Sequence, residues 1–289
     1  MKYHLGGRTV AITGSTGGLG SALAQALRRR KANLALLDLD GDAVAEQAET
    51  LGGHGVARGW HADVRSLESL EDAMRAAAEH FGRLDVVIAN AGVGETLGLV
   101  SDVEPDDWER TIDINLSGVW RTFKAAIPHV KQQHGHLLAT ASMASFLHSP
   151  LHGSYTASKA GVWALCDSTR LELRHLGVTV GSIHPTFFKT PMVDEAMTRP
   201  DSCRLWNNFT GLFALTPIET VVNDIVRGIE RRSAHIVSPR KLRLAALAPG
   251  LIQTYVDRFG FPGNTVPDAI ELGRPAQQPG LVLRPQRAP

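Results

Sequence analysis

Short apolar runs recur along this chain, and stretches with helical character separate most of them. "TVAITG", "NLALLDLD", "LDVVIANAG", "GHLLATAS" and "VTVGSIHP" are nearly continuous in apolar residues, and "GVARGWHADV" and "AHIVSP" complete the series. A strand that is apolar on both faces has to be covered on both faces, as happens in parallel sheets whose strands are joined by helices. The sequence therefore predicts an α/β fold with a doubly wound, mostly parallel sheet of about seven strands and helices on both faces.

The domain organisation follows from where this alternation holds and where it stops. Residues 1–240 contain all the predicted strands and form one domain. Within it, residues 193–216 mix polar and large apolar side chains without a regular period, which is typical of an excursion over a site, so we interpret them as a substrate lid. Residues 241–289 form a C-terminal extension, and its last part, Pro262 to Pro289, holds six Pro in 28 residues. We expect this Pro-rich tail to have no regular structure.

Composition argues against several classes of function. The chain has 30 basic and 29 acidic residues, so no basic excess points to a nucleic-acid partner. Twelve His are scattered without a spacing typical of metal ligands, so no metal is predicted. No apolar run reaches the roughly 18 residues of a spanning helix, and "MKYHLGGRTVAITG" enters a strand without a signal peptide. Two Cys make no disulfide framework, and together these features predict a cytoplasmic protein.

A glycine-rich segment, "TGSTGGLG" from Thr13 to Gly20, lies between the first predicted strand and the first predicted helix. Glycines at these positions allow a tight turn and a close approach of the backbone to a pyrophosphate, whose charge the following helix N-terminus attracts. Asp38 ends the second predicted strand, 20 residues after Gly18, where a carboxylate can accept hydrogen bonds from an adenosine ribose. The arrangement predicts a dinucleotide cofactor.

The segment "YTASK" places a phenol and an ammonium group four residues apart, at Tyr155 and Lys159. In a helix these two positions share a face. A neighbouring Lys⁺ stabilises phenolate and so lowers the pKa of a tyrosine. Bringing that pKa from ~10 to ~7 requires roughly 4 kcal/mol and would give a proton donor and acceptor suited to neutral pH.

Taken together, six motifs in this order resemble those of the classical short-chain dehydrogenase/reductase family. The match runs from about Val10 to Pro239. The motifs are "TGSTGGLG", "NAG" at Asn90 to Gly92, Asn115 in "DINLSG", Ser142 standing 13 residues before Tyr155, "YTASK", and "HPTFFKT". The resemblance implies a Rossmann fold and reversible hydride transfer between a nicotinamide dinucleotide and the carbon of a secondary alcohol or ketone.

The resemblance also implies roles for individual residues. Tyr155 would exchange a proton with the substrate oxygen, Lys159 would lower the pKa of Tyr155 and hold the nicotinamide ribose, Ser142 would hydrogen-bond the substrate, and Asn115 would anchor a relay water. The implied cofactor contacts are Gly14, Ser15, Thr16, Gly18, Leu19, Gly20, Asp38, Asp63, Val64, Asn90, Ala91, Gly92, Tyr155, Lys159, Pro185 and Thr190. Thr186 departs from the family pattern, which usually has Gly after this Pro, so the loop would have different dihedral angles or contact the substrate.

Cofactor preference is predicted from Asp38. A carboxylate there accepts hydrogen bonds from the ribose hydroxyls of NAD and would repel the 2′-phosphate of NADP. Ser15, Thr16 and Gly17 of the glycine loop are not basic, and Asp40 adds negative charge, so NAD is preferred and NADP is the less favoured alternative.

The substrate and partners are less strongly constrained. The lid contains Trp206, Phe209, Leu212, Phe213 and Leu215, which favours an apolar (steroid-, lipid- or acyl-like) alcohol or ketone, unless these side chains pack on the core instead. The apolar stretch 242–261 has three alternatives: it covers the site, packs in an oligomer, or lies on a membrane surface. The resemblance implies a homodimer or homotetramer formed through the helices near Asn115 and Tyr155. A non-catalytic dinucleotide sensor or scaffold, an epimerase or dehydratase, and an NADP-dependent ketone reductase remain as alternatives.

Overall fold

A seven-stranded parallel sheet forms the centre of the fold in the computed structural model, which describes residues 2–94 and 97–273. The strands are β1 Thr9–Thr13, β2 Asn33–Asp38, β3 Ala57–His61, β4 Val86–Ala89, β5 His136–Thr140, β6 Thr179–Pro185 and β7 His235–Ser238. Their order is β3-β2-β1-β4-β5-β6-β7, and each neighbouring pair is parallel. The predicted doubly wound Rossmann fold is confirmed.

Helices cover both faces of this sheet. Over the described residues the α-helices are α1 Gly18–Arg29, α2 Gly41–Thr50, α3 Leu67–Phe81, α4 Pro105–Ile112, α5 Gly118–Val130, α6 Gly153–Leu173, α7 Pro191–Thr198, α8 Pro200–Leu205, α9 Ile218–Arg231, α10 Arg243–Leu247, α11 Pro249–Phe259 and α12 Thr265–Gly273. Helices α1, α2 and α9 share one hydrophobic core with the sheet, and α3, α5 and α6 share the other.

Alternate residues of each strand enter opposite cores, which explains the continuous apolar runs. In β1, Val10 and Ile12 lie in the core under α1 and α9, whereas Ala11 between them faces α3 and α5. All three side chains are completely buried. A strand with two covered faces has no face that is open to solvent, so the alternation of apolar and polar residues that marks a half-exposed strand is absent.

The strand order reverses between β1 and β4, because β2 and β3 lie on one side of β1 and β5, β6 and β7 lie on the other side of β4. At such a reversal the connections leave the sheet in opposite directions and open a crevice beyond the carboxyl ends of the strands. The glycine loop follows β1, and the "NAG" segment follows β4. Both motifs therefore meet at this crevice.

The lid and the C-terminal extension contain more helix than their sequences predicted. Residues 193–216 hold most of α7, all of α8 and two short 3₁₀ turns. The expectation that the chain after Pro262 lacks regular structure is wrong for α12, in which Ala269 is fully buried against the lid. Pro267 is tolerated because it lies in the first turn, where backbone N–H groups have no partner within the helix. The rest of the predicted tail, 274–289, lies outside the described residues.

Helices α10 and α11 follow the carboxyl end of β7. Ala245, Ala246 and Ile252 pack with Met143 and Phe146 from the segment after β5. Among the described helices, none combines the length and apolar character needed to cross a membrane.

Asp85 joins the two central strands at the end of the sheet opposite the crevice. Its carboxylate is fully buried and accepts hydrogen bonds from the guanidinium groups of Arg8 and Arg83 at 2.6 Å each and from the backbone N–H of Thr9 at 3.0 Å. Burial alone would raise the pKa of Asp85, but the hydrogen bonds from Arg83, Thr9 and Arg8 outweigh it and hold the pKa below its ordinary value. The charged form is therefore stabilised by folding.

We predict that Asp85→Asn lowers the free energy of unfolding at pH 7 by on the order of 2–3 kcal/mol, because two partly buried arginines lose their counter-charge. Urea unfolding measures this value. Since the pKa is lowered by folding, the difference from wild type should shrink as the pH falls through and below about 4. Asp72→Asn removes an exposed partner of Arg75 and should cost less than about 0.5 kcal/mol. An equal loss of unfolding free energy in the two variants would contradict the conclusion that folding stabilises the charged form of Asp85.

Candidate active site

The glycine loop approaches the backbone of β4 too closely for any side chain. Gly14 has φ +63°, and a Cβ added there would lie 2.8 Å from Cα of Ala91. A Cβ on Gly20 would overlap the carbonyl oxygen of Gly14. Gly18 packs against Thr190, which would lie 3.1 Å from an added Cβ. The loop therefore leaves backbone, rather than side chains, at the entrance to α1.

The "NAG" segment holds this loop in place. The side-chain amide of Asn90 donates to the carbonyl oxygens of Thr13 and Gly14, at 3.1 and 3.0 Å. In return, the Thr13 hydroxyl oxygen accepts from the backbone N–H groups of Asn90 and Ala91, at 3.0 and 3.2 Å. The Thr140 hydroxyl donates to Oδ1 of Asn90 at 3.2 Å, so the ends of β1, β4 and β5 are tied together.

Asp38 faces the glycine loop from the end of β2. Its Oδ2 accepts from the backbone N–H and the hydroxyl of Thr16, at 2.9 and 2.8 Å, and its Oδ1 accepts from the N–H of Leu39 at 2.9 Å. Ser15 is fully buried, and its hydroxyl donates to Gln47 of α2 at 2.9 Å. Thr16 and Asp38 are therefore brought together, whereas the Ser15 side chain is directed to α2.

Asn115 lies in a π-helical segment, Asp113–Ser117, that joins α4 to α5. Its side chain forms two hydrogen bonds with the backbone of Val93: Oδ1 accepts from the N–H at 2.8 Å, and Nδ2 donates to the carbonyl oxygen at 3.0 Å. Nδ2 also lies 3.4 Å from the hydroxyl oxygen of Ser158. Asn115 thus fixes the segment after β4 against α6.

Lys159 places a buried ammonium group in the crevice. The residue is 4% exposed, and its Nζ donates to the carbonyl oxygen of Thr140 at 2.9 Å. Burial lowers the pKa of Lys159 to about 8. Nζ lies 5.5 Å from the centre of the Tyr155 ring, and a Cβ on Gly92 would lie 3.4 Å from Nζ and 3.1 Å from Oδ1 of Asn115. Gly92 therefore borders Asn115 and Lys159 together.

Ser142 reaches the same region from β5. It begins a 3₁₀ turn, Met143–Ser145, and its hydroxyl oxygen accepts from the N–H of Ala144 at 3.1 Å. The Ser145 hydroxyl donates to the carbonyl oxygen of Lys159 at 2.8 Å, which holds the turn against α6. Tyr155 lies in the first turn of α6 and is half-buried.

A histidine that the sequence analysis did not single out is in contact with Tyr155. The His152 and Tyr155 rings are stacked, with centres 4.6 Å apart and planes 20° apart. The His152 ring also contacts the Trp206 ring of the lid edge-on, with ring centres 5.5 Å apart. Burial lowers the pKa of His152 to about 4, so the ring is neutral at pH 7. The sequence signal was its position three residues before Tyr155, a spacing at which helical side chains become neighbours.

The remaining predicted cofactor residues lie around the crevice. Asp63 forms a bidentate pair with Arg65, whose hydrogen bond lowers the pKa of that carboxyl group. The carbonyl oxygen of Val64 accepts from Arg121 at 3.3 Å.

Thr190 caps α7 by accepting from the N–H of Val193 at 3.3 Å. Leu19 is buried in α1, and Pro185 is the last residue of β6. Thr186 does not adopt a positive φ, so this position does not require glycine.

The lid has a hydrophobic cluster of its own. Trp206 and Phe209 are 4% and 5% exposed, and both rings pack on Phe187, at 5.1 and 5.4 Å. Helix α12 completes the cluster, and Arg204 of α8 forms an ion pair with Asp268 of α12 at 2.8 Å. The aromatic residues therefore pack among themselves, and the cluster meets the crevice at His152. The side chain of Leu212 lies outside the described part of the chain.

This arrangement fits a dinucleotide. The glycine loop offers backbone N–H groups at a helix N-terminus for a pyrophosphate. Asp38 offers a carboxylate next to that loop, and Lys159 offers a buried ammonium group beside Gly92. Over residues 2–94 and 97–273, no group of three or more His, Cys, Asp or Glu is arranged to hold a metal ion.

Comparisons with known proteins agree with this geometry. The family model for short chain dehydrogenase matches residues 8–201. The (-)-trans-carveol dehydrogenase of Rhodococcus erythropolis is 36% identical over 209 residues, which are 66% of this chain and 75% of that protein. Oxidoreductase UcpA of Salmonella typhimurium is 30% identical over 272 residues, which are 93% of this chain and 98% of that protein.

A solved structure has the same fold over most of the chain. The crystal structure of a short chain dehydrogenase/reductase from Burkholderia phymatum in complex with NAD has a TM-score of 0.75 and 26% sequence identity. The match covers 88% of this chain and 96% of that chain.

We predict that Lys159→Met stabilises the cofactor-free protein at pH 7 by on the order of 1–3 kcal/mol while removing activity. Burial in the folded protein lowers the pKa of Lys159 to about 8, compared with an ordinary value of 10.5. Between these values the unfolded chain binds more protons, so wild-type stability rises with pH and the advantage of the variant should shrink. Urea unfolding at pH 7 and pH 10 measures both effects.

Lys124→Met provides the control, because Lys124 is exposed on α5. This variant should show no comparable gain in the free energy of unfolding at pH 7. A Lys159→Met protein that is less stable than wild type at pH 7 would contradict a desolvation cost at this position.

Proposed function

Because the chain belongs to the short-chain dehydrogenase family, we propose that it transfers a hydride reversibly between NAD(H) and the carbon of an apolar secondary alcohol or ketone. The observation that supports this most directly is the buried ammonium group of Lys159, 5.5 Å from the centre of the Tyr155 ring. A structural lysine seldom remains buried in a crevice without a carboxylate partner, because desolvation is costly. We propose that the positive charge of Lys159 is kept in the crevice because it stabilises the phenolate of Tyr155.

In the proposed mechanism the chain supplies the proton transfer. When bound, the nicotinamide accepts or donates the hydride. Tyr155 takes the proton from an alcohol or gives one to a ketone, and the charge of Lys159 stabilises its phenolate. The Ser142 hydroxyl hydrogen-bonds the substrate oxygen, and Asn115 anchors a water that connects Lys159 to solvent. Neutral His152 packs on the Tyr155 ring and adds no positive charge that would compete with that of Lys159.

We propose that the dinucleotide contacts Gly14, Thr16, Gly18 and Gly20 of the loop, with Asp38 at the adenosine ribose. Asp63 and Val64 would border the adenine, and Asn90, Ala91 and Gly92 would lie along the nicotinamide half. Thr190 and Pro185 would meet the carboxamide end. The Ser15 side chain is engaged by Gln47, so Ser15 would contribute only its backbone.

An apolar substrate is supported by the lid. The cluster of Phe187, Trp206 and Phe209 borders the crevice through His152, which is in contact with Tyr155. Aromatic walls favour a cyclic or long-chain apolar group over a phosphorylated sugar. The similarity to a (-)-trans-carveol dehydrogenase supports an alcohol as the substrate. We propose that residues 193–216 act as the lid over this substrate.

We also propose a cytoplasmic homodimer or homotetramer. Trp108, Trp120 and Leu171 are exposed by 37%, 47% and 70% on α4, α5 and α6, the helices next to Asn115 and Tyr155. Large exposed apolar side chains on neighbouring helices are typical of subunit interfaces. The free thiols of Cys166 and Cys203 support a reducing compartment.

We predict that Tyr155→Phe lowers kcat by about 10²–10⁴-fold and leaves the Kd for NADH nearly unchanged, because the ring remains and the exchangeable proton is lost. Turnover of secondary alcohols, steroids and acyl-chain ketones with NAD(H) and NADP(H) identifies the substrate for this test. Lys159→Ala should lower kcat and also weaken cofactor binding, since it removes a charge and a cofactor contact.

The substrate screen distinguishes an enzyme from a non-catalytic sensor, and the two variants test the roles of Tyr155 and Lys159. A non-catalytic dinucleotide sensor would bind NADH without turnover in any part of the screen. If Tyr155→Phe kept more than about a tenth of the wild-type kcat, the role proposed for Tyr155 would be wrong. An unchanged Kd for NADH in Lys159→Ala would argue against the ribose contact.

Preference for NAD rests on the surroundings of Asp38. An open depression beside the glycine loop is lined by Asp38, Leu39, Asp40, Gly41 and Asp42, of which three are acidic. A 2′-phosphate there would face these like charges. The cations of α1, Arg28 and Arg29, do not compensate, because they lie in the last turn of the helix, at the opposite end from the glycine loop.

We predict a kcat/KM ratio that favours NAD(H) over NADP(H) in the wild type and becomes smaller in Asp38→Asn. Asparagine keeps the size of the side chain and can still accept from Thr16, so the loop should keep its shape while the repelling charge is lost. Asp42→Asn removes a charge from the same depression without touching Thr16, and should change the ratio much less. A wild-type ratio that favours NADP(H) would refute the preference, and equal effects of the two variants would refute a specific role of Asp38.

A further inference from the structure

Helices α10 and α11 carry a stripe of large apolar side chains that faces outward. Leu244, Leu247 and Leu251 are each 76% exposed, Tyr255 is 61% exposed and Phe259 is 55% exposed. In α11 the spacing of four residues places Leu251, Tyr255 and Phe259 on one side of the helix. The Tyr255 and Phe259 rings are 5.0 Å apart, so the end of the stripe on α11 is a continuous aromatic surface.

The opposite side of these helices is fixed to the body of the protein. Ala245 is buried with Phe146, and Ile252 packs on the same cluster. Oε1 of Gln253 accepts from the backbone N–H of His148 at 2.8 Å. His148 lies between Ser142 and Tyr155 in the sequence, so the helices that carry the stripe are attached close to the crevice.

Basic residues flank the stripe in the sequence. Arg240, Lys241, Arg243 and Arg258 are all exposed, whereas Asp257 is the one acidic residue in the segment 240–260. Asp257 also accepts from Nε2 of Gln253 at 2.7 Å. The whole chain has nearly equal numbers of acidic and basic residues, so this local excess sets the segment apart.

We propose that this basic apolar face binds the surface of a bilayer that contains anionic lipids. Leu, Tyr and Phe side chains enter the boundary between headgroups and acyl chains, and flanking Lys and Arg side chains bind the anionic headgroups. The binding is peripheral and holds the enzyme on the membrane with its crevice next to the attachment.

The charges favour a membrane over the other two occupants considered for this segment. In a symmetric dimer the same face would meet itself, so two faces with the same net positive charge would come together, with one Asp257 in each copy to offset it. A cover over the active site would bury the stripe against the lid, but the five side chains point away from the body. A bilayer with anionic lipids accommodates both parts of the face, because its acyl chains accept the apolar side chains and its headgroups bind the cations.

Co-sedimentation of the full-length protein with vesicles tests this directly. Phosphatidylcholine vesicles with and without roughly 30% phosphatidylserine should differ, with strong binding only to the anionic vesicles. Raising the salt concentration from about 0.1 M to about 0.5 M should weaken that binding, because exposed charges are screened. The double variant Leu247→Ser with Leu251→Ser should lower the partition coefficient by about ten-fold or more.

Leu272→Ser is the matched control, because Leu272 is 49% exposed on α12, outside the stripe. It should bind vesicles as the wild type does. The proposal is overturned if the wild type fails to bind anionic vesicles, or if the stripe variant binds as well as the control. It is also overturned if light scattering shows an oligomer that the stripe variant dissociates while vesicle binding is unaffected. The vesicle and salt comparisons on the wild type do not depend on any variant folding.

Discussion

The burial of the Lys159 ammonium group is the constraint on which the site depends. At 4% exposure the side chain is almost completely buried, and its bond to the Thr140 carbonyl oxygen replaces only part of the hydration of the ammonium group. Three strand ends, the π-helical segment and α6 must all be in place to enclose it. The Asn90 contacts join the ends of β1, β4 and β5, and Asn115 joins the segment after β4 to α6. The burial of this charge lowers the stability of the fold, and the proposed proton transfer gives the charge its use.

The fold could be predicted because its strands are buried on both sides. Residues such as Val10, Ala11 and Ile12 have to be apolar regardless of the partner strand, so the pattern is visible without knowledge of the topology. The glycine loop and the Tyr155–Lys159 spacing are equally local: a short stretch of chain determines the geometry. For this reason the positions of Gly14, Asp38 and Lys159 around one crevice followed from the sequence.

The remaining features depend on contacts between distant segments. Helix α12 forms where a Pro-rich tail was expected, because Ala269 is buried on α8 more than sixty residues earlier, and no local pattern records that contact. The surroundings of His152 also depend on a distant segment. Its stacking on Tyr155 is local, but its contact with Trp206 depends on the fold of the lid. Ser15 matched a family motif, yet its side chain is directed to Gln47 because α2 lies above it.

The lid cluster joins residues 193–216 to the C-terminal extension through one shared hydrophobic core. Leu205, Trp206, Phe209 and Ala269 form a hydrophobic core separate from the two that cover the sheet. A small separate core can open without disturbing the larger ones, since cooperative units of a protein differ in local stability. Its opening would remove Trp206 from His152, and with it one wall beside Tyr155. If residues 193–216 act as the proposed lid, the wall beside Tyr155 could change through α8 and α12 while the strand ends that enclose Lys159 remain fixed.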